Sequence, residues 1–288
     1  MTEPLPLDTL EMFAFGLDHA EGICLAPDGH LYVGGESGQL YRIEEDDTAE
    51  ELLSTGGFML GLASDADSRI YAADTVARCV WRIDPHTKER EVYASGTPER
   101  RFNVPNWGAF AADGTYYLSD SGDWGESNGF LWKVVPGGVC EVWSEETTNF
   151  PNGLAVAPDG SRLYVLESYP GALVEVPILE DGSPGSRRVL CELGLVVPDG
   201  VALGRDGAFY IACYRPDAIY RFHSEDGLSL IAEDPRGAVI SAPTNIVFTG
   251  PDLGVIVVAN LGRGHLTRVG VGLRGYPLNY PTREQLGG

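Results

Sequence analysis

The stretch NGLAVAPDGSRLYVLES (Asn152–Ser168) decides the fold. Its first apolar run ends in Pro-Asp-Gly-Ser, and a second apolar and aromatic run follows. Asp-Gly tolerates the positive φ angles of a tight turn, so the stretch reads as a β-hairpin. The phrase recurs five more times: EGICLAPDGHLYVGG from Glu21, LGLASDADSRIYAAD from Leu60, NWGAFAADGTYYLSD from Asn106, DGVALGRDGAFYIAC from Asp199 and TNIVFTGPDLGVIVVAN from Thr244. Successive starts differ by 39, 46, 46, 47 and 45 residues. A fixed period of this size marks a repeat architecture.

A third run follows about twenty residues after each start: LYRI (Leu40–Ile43), VWRI (Val80–Ile83), LWKV (Leu131–Val134), LVEV (Leu173–Val176), IYRF (Ile219–Phe222) and LTRV (Leu266–Val269). Its alternation predicts a half-solvated strand. The first five units continue into a fourth run, EELLSTGG, REVYASG, CEVWSEE, RRVLCELG and LSLIAED, whereas the sixth does not. The missing strand stands at the other end of the chain as LEMFAFG (Leu10–Gly16). Pairing it with the last unit closes a ring and removes an exposed seam. The expectation is an all-β, six-bladed propeller, four strands per blade, as one domain over residues 1–288.

Composition agrees. Gly 37, Pro 19 and Tyr 13 suit short aromatic strands joined by many turns. Lys+Arg 20 against Asp+Glu 42 leaves a formal charge of −22, which disfavours nucleic acid as a partner. Runs such as EEDDTAEE (Glu44–Glu51) read as solvated edges between strands. No apolar stretch approaches the roughly 18 residues of a spanning helix, and the N-terminal MTEPLPLDTLEMF lacks the features of an export signal. Cys24, Cys79, Cys140, Cys191 and Cys213 are odd in number and scattered, which suits reduced packing residues in a cytoplasmic protein that has no membrane partner. The oligomeric state is not readable.

In a propeller the first strand of each blade lines the central channel, so Glu21, Leu60, Asn106, Asn152, Asp199 and Thr244 should ring one mouth. Four of the six carry carboxylate or amide oxygen. Two readings stay open on spacing alone: a ring of hard donors for a divalent cation, or residues that simply shape the turns between blades. The histidines show no ligand spacing that would suggest a zinc site.

The phrases HAEGICLAPDGHLYVGGESGQLYRI, NFPNGLAVAPDGSRLYVLES, VPDGVALGRDGAFYIACY and APTNIVFTGPDL resemble the senescence marker protein/gluconolactonase, or regucalcin, family over nearly the whole chain. That resemblance implies a lactonase-like, metal-dependent hydrolase acting on a small-molecule lactone or related ester. It also implies one divalent cation, with Glu21 (E-G), Asn152 (P-N-G) and Asp199 (D-G) as metal ligands. Oxygen-only ligands favour calcium among the ions of the family, which also include zinc, manganese and magnesium. Asp199 is expected to serve as general base as well. Asn106 matches a position near metal and substrate. The family's sugar-lactonase members open the third blade with an R-x-N-D-G type segment, whereas here it reads VPNWG, with Val104 and Trp107 in place of Arg and Asp. A flatter, more apolar substrate follows, with Trp107 as a wall.

Trp124, in the long third-blade segment Ser119–Gly129, is expected at the pocket rim, with Tyr214 and Arg263 as further substrate contacts. His265 reads as surface. Glu36 and Glu167 read either as inward-reaching or as solvated rim charges. The alternative functions are a different bond cleaved or rearranged at the same metal site, such as a phosphoester, a non-catalytic ligand-binding propeller, or a metal-free channel chemistry like that of strictosidine synthases. The tail GYPLNYPTREQLGG has no role assignable from sequence.

Overall fold

The computed structural model describes residues 3–287; the outermost ends of the expected 1–288 domain, Met1, Thr2 and Gly288, lie outside it. Six four-stranded antiparallel sheets follow one another along the chain. Their innermost strands are Ile23–Leu25, Met59–Ser64, Pro105–Phe110, Pro151–Val156, Val197–Leu203 and Pro243–Thr249. Each innermost strand packs against the innermost strand of the next sheet, and the sixth packs against the first, so the sheets form a closed six-bladed propeller. Glu11–Phe13 pairs antiparallel with Leu266–Gly270 and supplies the outer strand of the last blade. The displaced strand therefore closes the ring where the sequence places it.

The Asp-Gly turns adopt the conformation that explains their recurrence: Gly29, Gly114, Gly160 and Gly207 have φ of +89°, +90°, +71° and +82°. Any other residue there would strain the hairpin. Six apolar clusters fill the six gaps between neighbouring blades. In the gap between the second and third blades, Tyr71 meets Phe110 edge-on at 4.8 Å, with Tyr116 and Trp132 fully buried beside them.

Two expectations need correction. The third strands are not half-solvated: Leu40, Tyr41 and Ile43 are buried and Arg42 is half-buried, because the two neighbouring blades cover one face each. Solvent exposure belongs instead to fourth strands such as Val139–Ser144, open over most of its length. Nor does EEDDTAEE lie wholly between strands, since Ala49–Ser54 is a strand and Arg42 ties Glu44 and Glu50 across it at 2.6 and 2.7 Å. All five cysteines are free, three of them buried. Among the described residues no helix is long and apolar enough to cross a membrane.

Candidate functional site

Five of the six innermost strands are irregular where the repeat begins. The pairing register slips between Pro105 and Gly108, Pro151 and Leu154, Pro198 and Val201, Pro243 and Ile246, and Met59 and Leu62. The slips enclose Asn106, Asn152, Asp199, Thr244 and Leu60. A bulge bends the strand and re-aims the side chain it carries, and proline is tolerated there because the ladder needs no N–H at that point. Hence the recurring Pro-Asn, Pro-Asp and Pro-Thr steps. Glu21 stands just ahead of its strand, with its N–H donated to the Gly34 carbonyl at 3.0 Å.

The following glycines let the bulges close into a ring. A Cβ on Gly153 would stand 2.3 Å from the Asp199 carbonyl oxygen, and one on Gly200 would stand 2.5 Å from that of Thr244. All six ring residues are buried. The Thr244 hydroxyl donates to the Glu21 carbonyl at 3.0 Å, joining the last blade to the first.

The two asparagine amides are oriented by serines that the sequence reading missed. Asn152 Nδ2 donates to Ser168 Oγ at 3.2 Å, and that hydroxyl donates to the Pro198 carbonyl at 2.7 Å. Asn106 Nδ2 donates to Ser121 Oγ at 2.9 Å, which in turn donates to the Pro151 carbonyl at 2.7 Å. Each relay commits the amide nitrogen to the neighbouring blade. Asn152 Oδ1 and Glu21 Oε2 are left buried and without a hydrogen-bond partner. Unpartnered buried oxygens are costly unless something else satisfies them.

Electrostatics point the same way. Burial pushes the Glu21 carboxyl above the ordinary carboxylate range, with the nearby Glu36 charge adding to the shift and Thr244 easing it. Burial likewise raises Asp199 well above its ordinary value, the Glu21 charge raises it further and the Asn152 amide eases it. Two carboxyl groups that resist joint ionisation, beside an amide oxygen with no donor, fit a hard divalent cation with oxygen-only ligands.

The remaining sequence candidates divide. Trp107 is buried below the ring, where its indole reaches Gly200: a Cβ there would stand 2.9 Å from Cη2. Trp107 therefore forms a floor at the top of an 850 Å³ cavity that fills the rest of the channel and carries no charged lining residue. Trp124 is exposed at the rim. The Tyr214 ring is covered by the Arg215 guanidinium at 4.5 Å, and Arg263 Nε donates to the Gly237 carbonyl at 3.1 Å, so both are engaged within the protein. His265 is not a surface residue. It is buried against Phe15 and the Val239 carbonyl, and burial holds its pKa below the ordinary value. Glu167 is neither inward-reaching nor solvated, being fully buried in an ion pair with Arg187. Glu36 is exposed beside His19 at 3.2 Å.

Comparison with known proteins gives the chain its relatives. The sequence model of the SMP-30/Gluconolactonase/LRE-like region matches residues 20–261. A gluconolactonase of Zymomonas mobilis subsp. mobilis is 30% identical over 198 residues, 61% of this chain and 54% of its own, so the match spans about half of that relative. A 6-deoxy-6-sulfogluconolactonase of Pseudomonas putida is 26% identical over 245 residues, 78% of this chain and 76% of its own. The solved structure of a calcium-binding protein, regucalcin, from Agrobacterium tumefaciens shares the fold with a TM-score of 0.76 over 96% of each chain, at 18% identity.

Proposed function

This chain belongs to the SMP-30/gluconolactonase/LRE-like family, and from that premise we propose that it hydrolyses a lactone or related ester at the acidic mouth of the propeller, using one divalent cation held by Glu21, Asn152 and Asp199. The observation that carries the reading is the pair of buried, partnerless oxygens, Glu21 Oε2 and Asn152 Oδ1, facing a mouth that also holds Asp199. Calcium suits this donor set best. A bound ion would supply Lewis acidity to the ester carbonyl.

The chain's own residues do the rest. Glu21 and Asn152 hold position, the latter with its amide fixed by Ser168. Asp199 accepts a proton from the attacking water as the new C–O bond forms. When the ring C–O bond breaks, the departing oxygen takes up the proton that Asp199 accepted, which restores the carboxylate, and the product is the open hydroxy acid. Asn106, braced by Ser121, presents its amide to the substrate. Trp107 closes the mouth from below and keeps bulk water out of the site. The free cysteines suit a reducing, cytoplasmic compartment.

The test is metal content of protein purified without chelator, then hydrolysis of a lactone panel before and after chelation. One equivalent of metal, activity abolished by chelation and activity lost in Asp199→Asn with the ion still bound would support the reading. Metal-free protein with full activity would overturn it.

A further inference from the structure

The oxygen ring does not by itself select a substrate, but the surface beside it does. Trp124 is 56% exposed and Tyr169 52%, although their rings lie only 5.6 Å apart and Phe150 packs edge-on against Trp124 at 4.9 Å. Three aromatic rings thus form one face open to solvent on a chain of formal charge −22. Exposed apolar faces of this kind usually mark binding surfaces.

Each ring is tethered to the oxygen ring by a few residues. Trp124 follows Ser121, the partner of Asn106, by three positions; Phe150 precedes Asn152 by two; Tyr169 follows Ser168, the partner of Asn152. Even fully extended, two residues span only about 7 Å, so Phe150 stands no farther than that from the Asn152 backbone. The segments are braced. Asn128 accepts from the Asp123 N–H and donates to the Asp123 carboxylate, both at 2.8 Å, and Ser127 Oγ donates to Asn149 Oδ1 at 3.2 Å. Phe150 itself is held at φ +55°, a region a bulky residue rarely occupies. The face is therefore set before any ligand arrives.

Arg187 is engaged by Glu167 and the Val104 N–H by Asp120 at 2.8 Å, so neither offers a donor to sugar hydroxyls, and Arg263 gives its Nε to the Gly237 carbonyl. We propose that the Trp124–Phe150–Tyr169 face binds the substrate's own ring, making this a hydrolase of lactones fused to or bearing an aromatic ring, not of polyhydroxylated sugar lactones. This rests on the lactonase reading above and adds the substrate class to it.

The test compares three probes: dihydrocoumarin, whose lactone is fused to a benzene ring; δ-valerolactone, which has none; and glucono-δ-lactone. The wild-type protein should prefer dihydrocoumarin. Trp124→Ala should lower kcat/KM for dihydrocoumarin about tenfold, mostly through KM, and lower it by a smaller factor for δ-valerolactone. Trp124→Phe should restore most of the loss, and metal content should be the same in all three proteins. Preference for glucono-δ-lactone, or an equal loss on all probes, would overturn the proposal. If no lactone is hydrolysed at all, the lactonase reading fails separately. The aromatic face is then judged by titration calorimetry with 3-(2-hydroxyphenyl)propionate: binding that Trp124→Ala abolishes upholds it, and no binding or unchanged binding sinks it.

Discussion

The ring residues were legible because repetition gave them a position. Glu21, Asn106, Asn152 and Asp199 open repeat units, and a polar residue at the head of four otherwise apolar runs is hard to explain as packing. Ser121 and Ser168 were not legible, since a serine after a second strand is ordinary and their role depends on carbonyls of the next blade. The same limit applies to His265, which a long-range contact with Phe15 buries. Ser168 should repay mutation. Ser168→Ala removes the acceptor that holds the Asn152 amide, so Asn152 Oδ1 is free to turn away, and calcium affinity by calorimetry should fall about tenfold, as for other residues that orient metal ligands. The fold, read by circular dichroism, should stay unchanged. Titration gives a second expectation. A carboxyl group whose pKa is raised on folding stabilises the metal-free protein at low pH, and loses that contribution as pH rises through the folded-state value. Both Glu21 and Asp199 are raised by burial. Metal-free protein should therefore melt lower at about pH 8 than at about pH 5.5, and Asp199→Asn should flatten the difference, separating it from general acidic repulsion. Added cation should raise the Tm more at the higher pH, because it competes with protons for the same oxygens.

Strands were legible as far as local pattern extends. Hairpins and their Asp-Gly turns follow from runs and periods within about fifty residues, and the displaced closing strand from a repeat count that comes out one strand short at the last unit. What covers a strand does not, so the third strands were expected to meet water when they are sandwiched between blades. The bulges were hidden too, although prolines 105, 151, 198 and 243 mark four of them. Bulge and glycine act together, because the re-aimed residue reaches the channel only if the next blade can approach. Gly200→Ala would force a Cβ to 2.5 Å from the Thr244 carbonyl oxygen and 2.9 Å from the Trp107 indole. The expected cost is about 1–3 kcal/mol of stability in urea unfolding, together with weaker cation binding, since the ring cannot close around Asp199. Gly250→Ala is the control: it lies in open space, though its φ of +86° carries strain of its own. It should lower stability without changing cation affinity.

At the scale of the molecule the channel is divided. Oxygen donors gather at one mouth, Trp107 lies below them, and an uncharged 850 Å³ cavity occupies the rest. The C-terminal tail, to which the sequence assigned no role because it lies outside the repeat, crosses the far mouth. Asn279 Nδ2 donates to the Phe110 carbonyl at 2.9 Å, the Tyr280 hydroxyl to the Leu25 carbonyl at 2.8 Å, and Gln285 Nε2 to the Ala112 carbonyl at 2.7 Å. Leu286 then inserts into the core between the second and third blades. The tail thus braces blades from the side opposite the chemistry, and stability and cation binding should be separable. Leu286→Ala removes a buried anchor and should cost about 2–5 kcal/mol, lowering the Tm by several degrees. Calcium affinity, measured well below that Tm, should stay within about twofold of the wild type, because no ring residue belongs to the apolar cluster that anchors the tail. A large loss of affinity would mean that the two mouths are mechanically coupled through the innermost strands, with the tail setting the spacing of the oxygen ring from the opposite end of the channel.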